Sequence, residues 1–181
     1  MKIYLPVLSR YIAVFVNTLE NIFMAHFFFS PCPRGLEPLL KDELIALGAE
    51  SVTVVPGGAA YQGGHHLVYL VNLHSRLATR VLLRQASEKY TDERDIYRIA
   101  REVDWPSLFP VTATIRVYIT AIHCPLKSLE FAALTVKDAV CDRFRATCGA
   151  RPSVYLPQPD IRIHVFIEKK HLMLYLDTSG E

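Results

Sequence analysis

The sequence has little net charge and no long apolar run. Its 20 basic and 18 acidic side chains give a formal net charge of +2 over 181 residues. A surface that binds a polyanion would therefore have to come from local segregation of charge. No stretch approaches the twenty or so apolar residues of a membrane span, and Arg10, Asn17 and Glu20 interrupt the apolar N-terminal segment, which lacks a signal-peptide cleavage pattern. These absences predict a protein without a membrane anchor.

Cysteine is scarce, and its spacing excludes the common cysteine-based sites. The four cysteines are Cys32, Cys124, Cys141 and Cys148, and none forms a C-x-x-C pair of the kind found in zinc ribbons and thioredoxins. Cys141 and Cys148 are seven residues apart on one predicted helix. That spacing is about 10 Å, too far for a disulfide. We expect buried free thiols in a reducing compartment and hence a cytoplasmic location.

Motifs for catalysis are also missing. The pairs Gly57-Gly58 and Gly63-Gly64 do not make a dinucleotide-binding fingerprint, and the sequence has no P-loop, nucleophile elbow or H-E-x-x-H motif. His65 and His66 are adjacent, so their side chains should diverge, which is a poor start for a metal site. We predict no catalytic residue and no metal ligand in this chain.

The first half of the chain alternates short strands with two helices. Phe27–Phe29 is an apolar run ended by a proline. Leu residues between 36 and 47 recur every three or four positions and predict an amphipathic helix closed by Gly48. A hairpin at 52–62, a second helix from Leu67 and a strand at 81–86 follow. The order β-α-β-β-α-β is that of a ferredoxin-like unit.

The second half predicts a small α/β unit. Asp92 or Thr91 can cap a helix that ends near Trp105, and residues 114–122 alternate as a strand, with Arg116 and Tyr118 on its polar face. A long helix, Phe131–Cys148, precedes two strands, Ile161–Glu168 and His171–Asp177. The whole chain is therefore of the α+β class.

Basic side chains gather in this second half. From Lys127 to Lys170 there are eight basic residues and five acidic ones. Arginine and lysine neutralise phosphates, and an aromatic ring such as that of Tyr155 or Tyr118 can stack on an unpaired base. A solvated charged face and partly buried rim aromatics are the alternatives, and Lys137 could equally extend its ammonium to water from an apolar arc of the helix.

Several segments, taken together, resemble the N-terminal part of bacterial large-subunit ribosomal RNA guanine-N2 methyltransferases. The resemblance runs from about residue 25 to the end and implies a ferredoxin-like domain followed by a THUMP domain. The segments are Cys32-Pro33-Arg34-Gly35-Leu36-Glu37, Asn72-Leu73-His74-Ser75-Arg76, Phe131 through Ala139, Asp142-Arg143-Phe144-Arg145, Arg151-Pro152-Ser153-Val154 and Asp177-Thr178-Ser179-Gly180-Glu181.

The resemblance implies domains, partners and a cofactor. We expect an upstream extension at 1–23 that adds little to the fold, with Met24 as the natural start, a ferredoxin-like domain at 24–89 and a THUMP domain at 90–181. The family's catalytic domain follows downstream and uses S-adenosylmethionine; its motifs do not occur here, so this chain alone should bind no cofactor and catalyse nothing. Its expected partners are ribosomal RNA and its own methyltransferase domain. We expect it to bind neither DNA nor a membrane.

Matching the family's basic motif selects Lys137, Arg143 and Arg151 as RNA contacts, whereas His164 stands where relatives often carry asparagine. The full set of candidate RNA-binding residues is Lys137, Arg143, Arg145, Arg151, Ser153, Tyr155 and Lys169. Two alternative functions remain open: the THUMP module of a transfer-RNA-modifying enzyme such as a thiolation enzyme, and a protein-interaction scaffold that uses a sheet edge.

Overall fold

The structure is a computed structural model that describes residues 25–179. The described residues divide by their contacts into two compact units, one comprising residues 25–81 together with Thr178 and Ser179, the other Leu82–Asp177. The predicted upstream extension at 1–23 lies outside the described residues.

The first unit contains three strands and two helices. They are β1 (His26–Pro31), α1 (Glu37–Ala46), β2 (Glu50–Val55), β3 (Gly58–Gly63) and α2 (Leu67–His74). Strand β3 lies between β1 and β2 and is antiparallel to both, as the predicted hairpin requires. Leu40 and Leu44 of α1 and Val71 of α2 are buried, because the three- and four-residue spacing places them on the inner faces of their helices.

Polar contacts fix the turns of this unit. Gly48 ends α1 in the left-handed region at φ +90°, as its position in the sequence predicted. The Glu37 carboxylate accepts hydrogen bonds from the backbone nitrogens of Gly57 (2.9 Å) and Gly35 (2.7 Å). These bonds lower the pKa of Glu37 and join the start of α1 to the β2–β3 turn.

The second unit contains four strands and three helices. They are β4 (Leu82–Lys89), α3 (Glu93–Glu102), α4 (Trp105–Leu108), β5 (Ile115–Ile122), α5 (Leu129–Cys148), β6 (Ile161–Glu168) and β7 (His171–Asp177). Antiparallel pairs join β4 to β7 and β7 to β6, and β5 pairs in parallel with β6. Parallel neighbours need a crossover connection, and α5 supplies it.

Helices α3 and α5 cover one face of this sheet. Val136, Val140 and Phe144 of α5 pack in one buried cluster with Ile163 and Val165 of β6. The alternation of β5 and β6 therefore places Arg116, Tyr118 and His164 on the other face. These three side chains therefore lie on the sheet face that α3 and α5 do not cover.

Some sequence predictions differ in detail. The strand predicted at 81–86 extends to Lys89 and pairs with β7, so its contacts group it with the second unit. Trp105 and Pro106 begin the short helix α4 and do not simply end α3, because proline is well suited to a first helical turn. Cys141 is buried as predicted, but Cys148 is exposed, since it lies in the last turn of α5.

Candidate nucleic-acid interface

Helix α5 carries three of the predicted RNA contacts. Ser128 caps its start, with its hydroxyl accepting a hydrogen bond from the backbone nitrogen of Phe131 at 3.2 Å. Gly149 ends it in the left-handed region at φ +72°, where glycine has no steric penalty. Between these ends, side chains are arranged at about 100° per residue, so sequence spacing decides which of them share a face.

Lys137 and Arg145 share one side of α5, and each is paired with a carboxylate. The Lys137 ammonium lies 2.6 Å from Asp138 Oδ1, with 28% of the side chain exposed. Arg145 Nη1 lies 3.1 Å from Asp142 Oδ1, and Asp142 Oδ2 also accepts a hydrogen bond from the Tyr97 hydroxyl at 2.8 Å. Both cations reach solvent, but a phosphate would have to compete with the neighbouring carboxylate.

Arg143 lies on a different side of the helix. Its Nη2 donates to Asp104 Oδ1 at 3.0 Å, next to α4. Its Nε is buried and has no hydrogen-bond partner in the described part of the chain. Arg143 lies six positions after Lys137 and two before Arg145, which places it about 120° and about 160° around the helix from them. The structure therefore does not bring Arg143 together with Lys137 and Arg145.

The segment after α5, residues 151–156, forms a loop along the start of β5, and we refer to it as the edge loop. The carbonyl of Ser153 accepts a hydrogen bond from the Ile115 nitrogen at 2.8 Å, and the Tyr155 nitrogen donates to the Ile115 carbonyl at 3.3 Å. Pro152 is buried, whereas Arg151 and Ser153 are exposed. The loop thus adds a short bridge at Val154 to an edge strand and presents its side chains to solvent.

The charges of three cations act on the Cys141 thiol. Burial raises the pKa of Cys141, while the positive charges of Lys137, Arg151 and Arg145 lower it in part. Because this influence falls with distance, it relates the middle and end of α5 to the edge loop electrostatically, and the Asp138 carboxylate acts on the same thiol in the opposite sense. We call Lys137, Arg145 and Arg151 the basic cluster. Of the three, Arg151 alone makes no ion pair or hydrogen bond with a described residue.

Apolar and aromatic side chains are exposed on the edge loop, which also carries Arg151 of the basic cluster. Val154, Tyr155 and Leu156 of the edge loop are 47%, 49% and 59% exposed. Such side chains next to guanidinium groups are suited to contact with unpaired bases whose phosphates face the cations.

A further group lies across the strand edge. The Arg116 guanidinium stands 4.6 Å above the Tyr118 ring and donates to the Leu156 carbonyl. Tyr118 stacks on His164 with ring centroids 5.0 Å apart and an interplanar angle of 13°. The sequence places Arg116 and Tyr118 on one face of β5, but the contact of Arg116 with the edge loop could not be read from it. Arg116 thus anchors the loop that carries Tyr155.

Lys169 lies far from this group. Its backbone nitrogen donates to the carbonyl of Ile122, at the end of β5, whereas Ser153 and Tyr155 pair with Ile115 at the start. The strand spans eight residues, or about 23 Å at the usual rise. Lys169 occupies the β6–β7 turn in a left-handed conformation at φ +53°, so the basic cluster does not include it.

The described residues contain no group of three or more histidine, cysteine or acidic side chains that could hold a metal ion. Among the same residues, no helix is long and apolar enough to cross a membrane. The groups that the described part of the chain offers to a ligand are the basic cluster and the exposed side chains of the edge loop.

Comparisons with known proteins identify two domains. Residues 27–82 match the RlmL ferredoxin-like domain, and residues 90–177 match the THUMP domain. The chain thus consists of a ferredoxin-like domain followed by a THUMP domain, the RNA-binding module that carries the basic cluster, and the fold class predicted from the sequence is confirmed.

Solved structures share this fold. One is a Listeria monocytogenes protein described as a predicted N6-adenine-specific DNA methylase (21% identity, TM-score 0.74, 89% of this chain and 42% of that one). Another is SMU.472, described as a methyltransferase in complex with SAH (16%, TM-score 0.73, 84% and 41%). A third is a 4-thiouridine synthetase in complex with RNA and ATP (11%, TM-score 0.59, 85% and 41%). This chain spans less than half the length of each.

Proposed function

We propose that this chain is the module that docks ribosomal RNA for a S-adenosylmethionine-dependent guanine-N2 methyltransferase. The observation that carries the proposal is the basic cluster, in which Arg151 is exposed, makes no ion pair with a described residue and belongs to the same loop as the exposed ring of Tyr155. Phosphate contacts would supply affinity, and the position of the bound RNA relative to a catalytic domain would select the target nucleotide.

The chemistry of the site suits binding and not catalysis. Guanidinium and ammonium groups neutralise phosphates, an exposed tyrosine ring stacks on an unpaired base, and neither transfers a methyl group. In this proposal the methyltransferase domain, which would hold S-adenosylmethionine, is a separate domain of the whole protein. The SAH-bound relative and the greater length of the relatives support this division of roles.

A second candidate is an RNA-docking module of a thiolation enzyme that acts on transfer RNA. The likeness to a 4-thiouridine synthetase bound to RNA favours it, and the same basic cluster would serve. The sequence that adjoins this chain in the whole protein discriminates the two, because a Gly-rich S-adenosylmethionine loop and an Asn-Pro-Pro-aromatic motif belong to the methyltransferase alone.

Salt-dependent binding tests the RNA-docking role. Fluorescence anisotropy would compare the chain with its Lys137→Ala plus Arg151→Ala variant on labelled large-subunit ribosomal RNA fragments and on transfer RNA. We expect weaker binding and a slope of log K against log salt that is smaller by about 0.7 to 0.9 for each lost phosphate contact. Arg94→Ala, which removes an exposed cation of α3 outside the cluster, is the matched control.

Unchanged affinity and slope in the double variant would contradict the assignment of the basic cluster. Equal losses in the double variant and in Arg94→Ala would show that only overall charge matters. A preference for transfer RNA over ribosomal RNA fragments would favour the second candidate.

A further inference from the structure

Helix α2 presents two large apolar side chains to solvent. Tyr69 and Leu73 are 69% and 76% exposed, while Leu67, Val68 and Val71 of the same helix are buried. Residues four apart lie one above the other on a helix surface, so Tyr69 and Leu73 form one outward face. An amphipathic helix packed on its own domain would place polar residues there.

The apolar face continues beyond the start of α2. The His65 ring packs edge-on against Tyr69, with centroids 6.1 Å apart, and against His26 at 5.3 Å. Burial and the neighbouring His26 lower the pKa of His65, which favours an uncharged ring at neutral pH. We call His65, Tyr69 and Leu73 the α2 strip.

The residues at the C-terminal end of the described chain are held beside this strip. Asn72 Nδ2 donates to the carbonyl and the hydroxyl oxygen of Thr178, at 3.3 and 3.2 Å. Thr178 and Ser179 are further tied to Val81, through a Thr178 nitrogen–Val81 carbonyl bond of 3.0 Å and a Val81 nitrogen–Ser179 hydroxyl bond of 2.7 Å. Thr178 therefore lies next to Asn72 of α2, the residue that precedes Leu73 in the sequence.

We propose that the α2 strip is the surface on which the methyltransferase domain of the same protein docks. The inference rests on the proposed function, which supplies that domain and a connection to it after residue 179, and on the hydrogen bonds that hold Thr178 against Asn72 of α2. The solved relatives are more than twice as long as the part this chain covers, so a domain of ample size is available to cover the strip.

The small size of the strip favours a tethered occupant over a free one. Stable interfaces between separate proteins bury about 800 Å² on each partner, contributed by some 20 to 30 residues. Three side chains supply a fraction of that area. A domain attached to the same chain faces the strip at an effective concentration on the order of millimolar, so a weak apolar contact suffices to hold it there.

Hydroxyl-radical footprinting tests the docking directly, because it reports the exposure of individual side chains. The measurement compares the 181-residue chain with the full-length protein that carries the methyltransferase domain. We expect the modification of Tyr69 and Leu73 to fall by about fivefold in the full-length protein, as for side chains at the core of an interface. Ile45, an exposed apolar residue of α1 (50%), should be modified equally in both.

Variants add a functional readout. Tyr69→Ser plus Leu73→Ser in the full-length protein should slow methyl transfer and leave RNA affinity unchanged, whereas Ile45→Ser should change neither. Both side chains are exposed, so their replacement should leave the folded state stable. Loss of RNA binding in the double variant would contradict docking and indicate an RNA contact at α2.

Three further outcomes would overturn the inference. Equal modification of Tyr69 in the short and full-length proteins would refute docking while leaving the proposed function intact. Protection that appears in the short chain and rises with its concentration would identify a second copy as the occupant. A full-length protein without a methyltransferase domain would refute the proposed function and the inference with it. Unchanged RNA binding in the Lys137→Ala plus Arg151→Ala variant would refute the RNA site alone.

Discussion

Replacing Asp138 or Asp142 by asparagine should strengthen RNA binding. Asp138 lies 2.6 Å from the Lys137 ammonium, and Asp142 lies 3.1 Å from Arg145, so each carboxylate competes with a phosphate for a cation of the basic cluster. Asparagine keeps the size of the side chain and removes the charge. At position 142 it can still accept the hydrogen bond from Tyr97.

The magnitude follows from Coulomb's law. A phosphate that contacts Lys137 or Arg145 would lie about 7 Å from the neighbouring carboxylate, where two unit charges in water repel by about 0.6 kcal/mol before salt screening roughly halves the value. Each substitution should therefore raise affinity by about 1.5- to threefold. Arg151 has no such competitor among residues 25–179, so Arg151→Ala should lose about 1 to 2 kcal/mol of binding free energy, or about five- to thirtyfold in affinity.

Anisotropy titrations at several salt concentrations would measure both effects on one RNA. The Asp→Asn variants should gain most at low salt, and the gain should shrink as salt rises. Asp92→Asn is the matched control, because it removes an exposed carboxylate at the start of α3, and asparagine is also a good helix cap. An Asp138→Asn or Asp142→Asn variant that binds RNA more weakly than the parent, or no better than Asp92→Asn, would refute the competition argument.

Two further predictions concern the first unit and can be checked by chemical denaturation. Tyr61→Phe should lose about 1 to 3 kcal/mol of stability because Ser30 Oγ, fully buried and 3.0 Å from the Tyr61 hydroxyl, is left without a partner; adding Ser30→Ala should recover most of the loss. Burial raises the pKa of Tyr61 to about 12. The neutral phenol therefore contributes its full stabilisation of the fold below pH 10, and this stabilisation is lost as pH rises from about 10 to 12. The Tyr61→Phe variant should not show this loss of stability. Gly58→Ala should destabilise by about 1 to 3 kcal/mol, because a Cβ there would lie 2.5 Å from the Ser30 carbonyl and 2.7 Å from the Phe29 ring; stability equal to the parent would contradict this.

Secondary structure that depends only on neighbouring residues in the sequence could be predicted from the sequence. The strands 161–168 and 171–177 have the predicted bounds, because alternation and the intervening lysine pair define them without help from elsewhere. Asp92 caps α3 as expected, accepting hydrogen bonds from the nitrogens of Arg94 and Asp95. The partner of β4 could not be found in this way, since strand pairing depends on residues nearly ninety positions away.

Side-chain neighbours from other elements account for what the sequence could not predict about the site. Helical spacing alone separates Arg143 from Lys137, but only the fold shows that Asp104 is its partner. Likewise, the alternation of residues 114–122 predicts that Arg116 lies on a strand. Its contact with the Leu156 carbonyl could not be predicted, because that contact depends on the path of the edge loop. Lys169 follows a strand that starts near the site and ends about 23 Å away.

A count of basic residues is therefore a poor guide to the surface that meets RNA. The segment from Lys127 to Lys170 has an excess of basic residues. Three of them, Lys137, Arg143 and Arg145, each form an ion pair with a carboxylate. Their net field at the distance of a phosphate is small, because a cation and its paired anion largely cancel beyond a few ångströms. Arg151 pairs with no carboxylate of the described residues, and it belongs to the same loop as the exposed Tyr155. The contact with RNA should thus be centred on the edge loop, with α5 adding affinity only as its ion pairs open.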